Sequence, residues 1–321
     1  MATVPRPLER DISRKGLSFG DAIFGGLMAL GSLAIVAILI GMVHILANQS
    51  WDAINRFGFQ FFTSQTWNPV TNQFGALSVI YGTVISSLIG VILAVPVAVG
   101  VALFLTEVSP KVIRLPASFL VEMLAAVPSV VFGLWGLFVL APHVLRPVET
   151  NFLGKYFGWI PLFSGSGNGY GMLSAGVILA IMIIPIIAAI SRDVLRAVPQ
   201  NQREAALALG ATKFEMIWSV LLPYARPGIT GATILGLGRA VGETMAVTMV
   251  IGNAYHINTS LFKSGNTMAS AIANNLGEAD NVYRSALIEL GLILLGVTLL
   301  INVAARLLVW RISRHAGGGV L

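Results

Sequence analysis

Six stretches of this chain are apolar for the length a helix needs to cross a hydrocarbon core: 22–47, 76–105, 117–141, 171–191, 228–252 and 285–308. A crossing takes ~20 residues. The runs are continuous and lack a two-residue alternation, so they predict helices rather than barrel strands. A soluble reading fails, because only 11% of residues are charged and the mean hydropathy is +0.82; soluble domains carry about 25%. The fold class expected is all-α integral membrane with six transmembrane helices. The first run is too long for a cleaved signal and no small-residue cleavage site follows it, so it is expected to be retained. The chain has no cysteine, which excludes disulfides, thiolate metal sites and cysteine catalysis.

Charge sets the expected orientation. The net charge of +6 would form one basic patch in a nucleic-acid binder; here the bases fall in short segments between apolar runs. With the N-terminus inside, the inner segments hold Arg6, Arg10, Arg14, Lys15, Lys111, Arg114, Arg192, Arg196, Arg203, Lys213, Arg226, Arg306, Arg311 and Arg314. The outer segments hold Arg56, Arg146, Lys155, Lys263 and Arg284. Positive residues collect on the cytoplasmic side, so both termini are assigned there.

Pro96, Pro128 and Pro185 lie well inside predicted spans and are expected to kink them, as tolerated bends or as pathway-lining hinges. Residues 48–75 are aromatic and predict an interfacial segment. Residues 142–170 predict an irregular loop. Glu107, Glu122 and Glu289 stand near span ends and are expected to be structural. His44, His143, His256 and His315 are each isolated, so no metal site is expected. No nucleophile, base and orienting group can be assembled, which argues against a membrane enzyme.

The inner loop 192–227 predicts two short helices, about Gln200–Leu209 and Lys213–Leu222. Gly210 supplies a left-handed turn between them, and Pro223 and Pro227 punctuate the entry to the fifth span. Glu204-Ala205-Ala206, three residues, Gly210, nine residues, then Val220-Leu221-Leu222-Pro223 resembles the EAA loop of ABC-transporter permeases. The family has isoleucine where Val220 stands. The resemblance implies a coupling helix seated on an ATP-binding subunit, with Glu204, Ala205, Ala206, Gly210 and Pro223 in that role. Small side chains permit close approach, and Glu204 can accept a charge-assisted hydrogen bond. The bland alternative is an amphipathic helix on the inner leaflet. No G-x-x-x-x-G-K-[ST] run is present, so nothing in the sequence cradles a nucleotide triphosphate.

The fifth span carries two charges, Arg239 and Glu243, in GRAVGETMA. Four residues apart on one helix face, they are expected to neutralise each other partly, either at a pathway or as a static packing pair. Gly236, Gly238 and Gly242 are expected to permit tight helix contact. A guanidinium suits an oxyanion. Arg239 is therefore the candidate for meeting substrate, with Glu243, Thr244 and Thr248 beside it.

The string GLGRAVGETMAVTMVIGNA resembles a signature of phosphate permeases. WNPVTNQFGALSVIYGTVISS resembles the entry to the second span of their PstC-type subunit, and VEMLAAVPSVVFGLWG resembles their third span. The resemblance implies a type I ABC permease fold and a permease subunit of an ATP-driven phosphate importer, with no enzymatic activity of its own. The expected organisation is a cytoplasmic segment 1–21, a first span 22–47, a periplasmic interfacial segment 48–75, a five-helix permease core 76–310 and a cytoplasmic tail 311–321. It further implies the bacterial inner membrane, a homologous PstA-type partner, two ATP-binding subunits that hold ATP and Mg, and a periplasmic phosphate-binding protein. Sulfate or molybdate as cargo, or an ion-coupled transporter or channel without an ATPase, are the alternatives.

Overall fold

The computed structural model describes the chain from Phe19 to Ala316. The bases Arg6, Arg10, Arg14 and Lys15 and residues 317–321 of the expected tail lie outside the described residues. The chain divides into two compact units between Asn48 and Gln49. The first consists of helix α1 (Phe19–Gln49) short of its last residue, where the Asn48 amide lies 3.0 Å from the His44 ring one turn earlier.

The second unit opens on α2 (Trp51–Phe57) and α3 (Gln60–Thr63). A two-residue antiparallel hairpin follows, β1 (Trp67–Asn68) and β2 (Gln73–Phe74), with Trp67 opposite Phe74. Its aromatic residues bury against one another. Trp67 stacks on Tyr255 at 5.2 Å and Phe74 on Tyr283 at 5.1 Å, while Trp51 and Phe59 stay exposed. Each such ring pair contributes ~0.5–1.5 kcal/mol beyond area burial.

Helix α4 (Leu77–Leu103) passes through Pro96 and continues in wider turns to Val108. Next come α5 (Lys111–Ala125), α6 (Ser129–Trp135) and α7 (Gly154–Phe157), the last two joined by further helical turns into one 29-residue stretch, Ser129–Phe157. Then follow α8 (Met172–Arg196), α9 (Gln200–Ala208), α10 (Lys213–Met216), α11 (Leu222–Gly242), α12 (Met245–Val250), α13 (Met268–Asn275) and α14 (Asn281–Ala316).

Helix α4 packs most extensively on α8. The crossing uses small residues: a Cβ on Gly90 would stand 3.0 Å from Leu179 Cβ, and one on Gly176 would enter the Ile89 side chain. Without a hydrophobic drive between helices in lipid, such close packing supplies the association. Helix α11 meets α8 at Gly236, where a Cβ would fall 2.7 Å from Ile187 Cδ1. Gly238 and Gly242 make no comparable approach, so only one of the three expected contact glycines serves that purpose.

Three expectations need correction. The 117–141 span is not one helix: α5 ends at Ala125 and α6 starts at Ser129, because Pro128 disfavours helical backbone at the residue before it. The apolar helical stretch instead runs Ser129–Phe157 and takes in 142–157, expected to be irregular. Second, 228–252 breaks between α11 and α12. Five helices among the described residues are therefore long and apolar enough to cross a membrane. Third, Pro223 and Pro227 do not interrupt the entry to α11. The backbone is helical from Lys213 onward, and the wider turn Ile217–Leu221 just before Pro223 accommodates its missing N–H.

Candidate functional site

The loop 192–227 and the segment where α11 gives way to α12 hold the candidate residues. Helix α9 starts after Pro199, whose extended backbone caps it. None of its residues is buried. Glu204 and Ala205 face outward, whereas Ala206 packs against the cluster of Val198, Met216 and Leu221. Gly210 has φ +86°, the left-handed turn that leads into α10. Thr212 and Glu215 form a reciprocal cap at the start of α10: Thr212 N–H donates to Glu215 Oε2 at 2.8 Å, and Glu215 N–H donates to Thr212 Oγ1 at 3.3 Å. The backbone donor, then the Thr212 hydroxyl, hold the Glu215 carboxyl below the usual range. Leu207, Leu209, Phe214 and Trp218 are exposed on this loop, the last two with parallel rings.

The loop is anchored to the ends of two long helices. Arg203 Nη2 donates to the Leu195 carbonyl at 2.7 Å and lies 3.3 Å from Glu107 Oε1, an ionic contact without hydrogen-bond alignment. Lys213 Nζ donates to the Glu107 carbonyl. Glu122 pairs with Arg192 at 2.9 Å rather than merely reaching for solvent.

Gly242 ends α11, and Glu243 takes extended backbone (φ −70°, ψ 130°). The four-residue helical relation between Arg239 and Glu243 is therefore lost, and the expected ion pair does not form. Arg239 is exposed and has no hydrogen-bond or ionic partner among the described residues. Glu243 is buried, with Oε1 3.5 Å from Ala246 N–H at the start of α12. Thr244 occupies the break, its hydroxyl 3.3 Å from the Gly242 carbonyl. Thr248 points elsewhere: its hydroxyl lies 2.9 Å from Ser270 Oγ, which in turn lies 2.9 Å from Asn253 Oδ1. This polar chain joins α12 to α13. Among the described residues no three His, Cys, Asp or Glu side chains gather around a point where a metal could bind.

Residues 94–314 match the family model described as binding-protein-dependent transport system inner membrane component. The chain is 45% identical over 313 residues to the phosphate transport system permease protein PstC of Mesorhizobium japonicum, covering 96% of this chain and 95% of that one. This chain belongs to the PstC family of phosphate transport system permease proteins. Its PstC relative in Xylella fastidiosa (strain 9a5c) is 47% identical over 291 residues, covering 88% and 90%. Among solved structures, a bacterial alginate ABC transporter in complex with an alginate pentasaccharide-bound periplasmic protein matches with TM-score 0.60 at 18% identity, covering 90% of this chain and 96% of that one. The MetNI methionine ABC transporter, in an inward-facing conformation, matches with TM-score 0.50 at 20% identity, covering 74% and 94%. These likenesses are of fold: the PstC-family chain is an all-α, multi-pass membrane protein of the ABC-permease kind.

Sequence reasoning missed three features of this PstC-family chain. The sequence gives Glu107 only a boundary role and Arg203 none beyond its charge, because no spacing links positions 107 and 203. The Ser270–Asn253 pair was invisible for the same reason. Glu149 is fully buried and accepts from Gly169 N–H at 2.8 Å, pinning the glycine-rich segment before α8.

Proposed function

We infer that this chain is the membrane-spanning permease subunit of an ATP-driven importer for inorganic phosphate. The observation that carries the reading is identity of 45%, over almost the full length of both chains, to a protein named for phosphate transport. In this reading the broken α11–α12 pair is the sixth crossing. Both termini are cytoplasmic, and the chain lies in the bacterial inner membrane. The core 76–310 pairs with a homologous PstA-type permease, beneath a periplasmic phosphate-binding protein.

Two ATP-binding subunits dock on the inner loop. The exposed Glu204, Ala205, Leu207 and Leu209, with Phe214 and Trp218, support that role, since a wholly unburied helix needs a partner to cover its apolar side chains. Gly210 and Pro223 fix the turn and the helix entry on either side. The sequence has no phosphate-cradling nucleotide loop, so ATP and Mg belong to the partner.

Arg239 is the residue that meets phosphate. Arg239 lies in the last turn of α11, exposed and unpaired among the described residues, and a charged side chain within a membrane segment belongs to a water-filled pathway or a partner surface. Glu243 and Thr244 shape the break next to it, and Thr248 ties the outer piece in place. Uptake of labelled phosphate and sulfate by a deletion strain carrying this gene tests the cargo. Restored phosphate uptake, with an ATP-binding subunit recovered on purification, is expected. Restored sulfate uptake alone, or purification without an ATPase, would overturn the reading.

A further inference from the structure

A second anion-suited site lies away from α11 and α12, where α5 faces the C-terminal end of α8. A cavity of about 610 Å³ opens there, lined by Lys111, Arg114, Arg192 and Arg196 against a single carboxylate, Glu122. Arg192 is already satisfied by Glu122 and Asp193, each at 2.9 Å. Lys111 and Arg196 have no side-chain partner among the described residues. Arg114 spends one nitrogen on the Ser109 carbonyl at 3.2 Å, but its Nε is buried with no acceptor. The buried hydroxyl of Ser118, one turn along the same helix and also lining the cavity, has no partner either. Two buried donors without acceptors, on residues that line the cavity together with two cations lacking a side-chain partner among the described residues, suit the oxygen atoms of an anion.

We propose that this cavity binds a phosphate group, with the phosphodiester headgroup of an anionic lipid as the favoured source. Arg114 Nε and the Ser118 hydroxyl donate to its oxygens, and Lys111 and Arg196 neutralise it. Two observations favour lipid over free phosphate. The lining also includes Leu115 and Phe119, both largely exposed, which a free inorganic anion has no use for and an acyl chain covers. The walls are helix α5, which follows the Leu77–Val108 stretch, and the last turn of Met172–Arg196, so the cavity lies at the ends of two helices long and apolar enough to cross a membrane. Basic pockets between membrane helices at that level suit anionic headgroups.

The test is native mass spectrometry of the intact transporter purified with this chain, titrated with phosphatidylglycerol, phosphatidylcholine or inorganic phosphate. Retention of phosphatidylglycerol over phosphatidylcholine is expected, with apparent affinity falling roughly ten-fold in Arg114→Gln, the loss of one charge-assisted bond. Ser118→Ala should weaken it less. If Arg114→Gln fails to assemble, exposed Lys111→Gln replaces it. Displacement of the lipid by inorganic phosphate in the wild type, weakened by the same substitutions, also supports the site and assigns its occupant to the free anion. Equal retention of both lipids, or affinity unchanged in Arg114→Gln, Lys111→Gln and Ser118→Ala alike, overturns it.

Discussion

Arg203 on α9 stands 3.3 Å from Glu107 at the end of the α4 span while donating to the Leu195 carbonyl at the end of α8. One side chain thus ties the exposed α9 to the two helices that form the principal packing pair of the core.

Removing that tie should loosen the loop without unfolding the core. Arg203→Ala is expected to destabilise the assembled protein by about 1.5–3 kcal/mol, the range for a charged hydrogen bond. Glu107→Gln should cost less, because the Leu195 bond and the Lys213 bond to the Glu107 backbone both survive. Thermal melting of the purified complex checks the order. A larger loss in Glu107→Gln would refute it.

Arg239 and Glu243 are not paired, so their substitutions should act independently. Arg239→Lys is expected to lower phosphate uptake about ten-fold or more, since an ammonium lacks the fork of donors. Combining it with Glu243→Gln should give additive effects within about 0.5 kcal/mol. A double-mutant cycle on uptake, with membrane abundance matched, measures this. Strong coupling would mean the two side chains do meet.

Gly82 and Gly242 offer a paired test of packing. A Cβ at Gly82 would overlap the Asn266 carbonyl, whereas at Gly242 nothing lies within 4 Å. Gly82→Ala should cost at least about 1–3 kcal/mol through overpacking. Gly242→Ala should leave stability nearly unchanged. Melting temperatures of the two variants decide.

The Thr212–Glu215 cap carries a pH signature. Its carboxyl titrates below the usual value, so the folded state favours the ionised form. The contribution is complete above the ordinary glutamate range and is lost as pH falls through the depressed value. Amide exchange at Thr212 and Glu215 should quicken over that acidic window in the wild type and show no such step in Glu215→Gln.

Much of this molecule is legible in one dimension. The hydrophobic lengths locate α1, α4, α8 and α14 because each is a single uninterrupted run. The left-handed turn at Gly210 follows from residue type and spacing. The break after Gly242 is not legible, since the 228–252 run is long enough to span and contains no proline, and the two charges and two glycines of GRAVGET mark no helix end by themselves. The Arg203–Glu107 contact and the Thr248–Ser270–Asn253 chain join distant positions, and local pattern carries no information about them. The cargo was legible only through likeness to relatives.

The uninterrupted helix that runs from Lys213 through Gly242 has a mechanical consequence. Phe214 and Arg239 sit near opposite ends of this helix, about 37 Å apart along it at ~1.5 Å per residue. The helix stops where Glu243 takes extended backbone, and α12 beyond it is moored to α13 through Thr248 and Ser270. One continuous helix thus carries an exposed aromatic, Phe214, near one end and an exposed arginine, Arg239, near the other, so any tilt of the helix displaces both together.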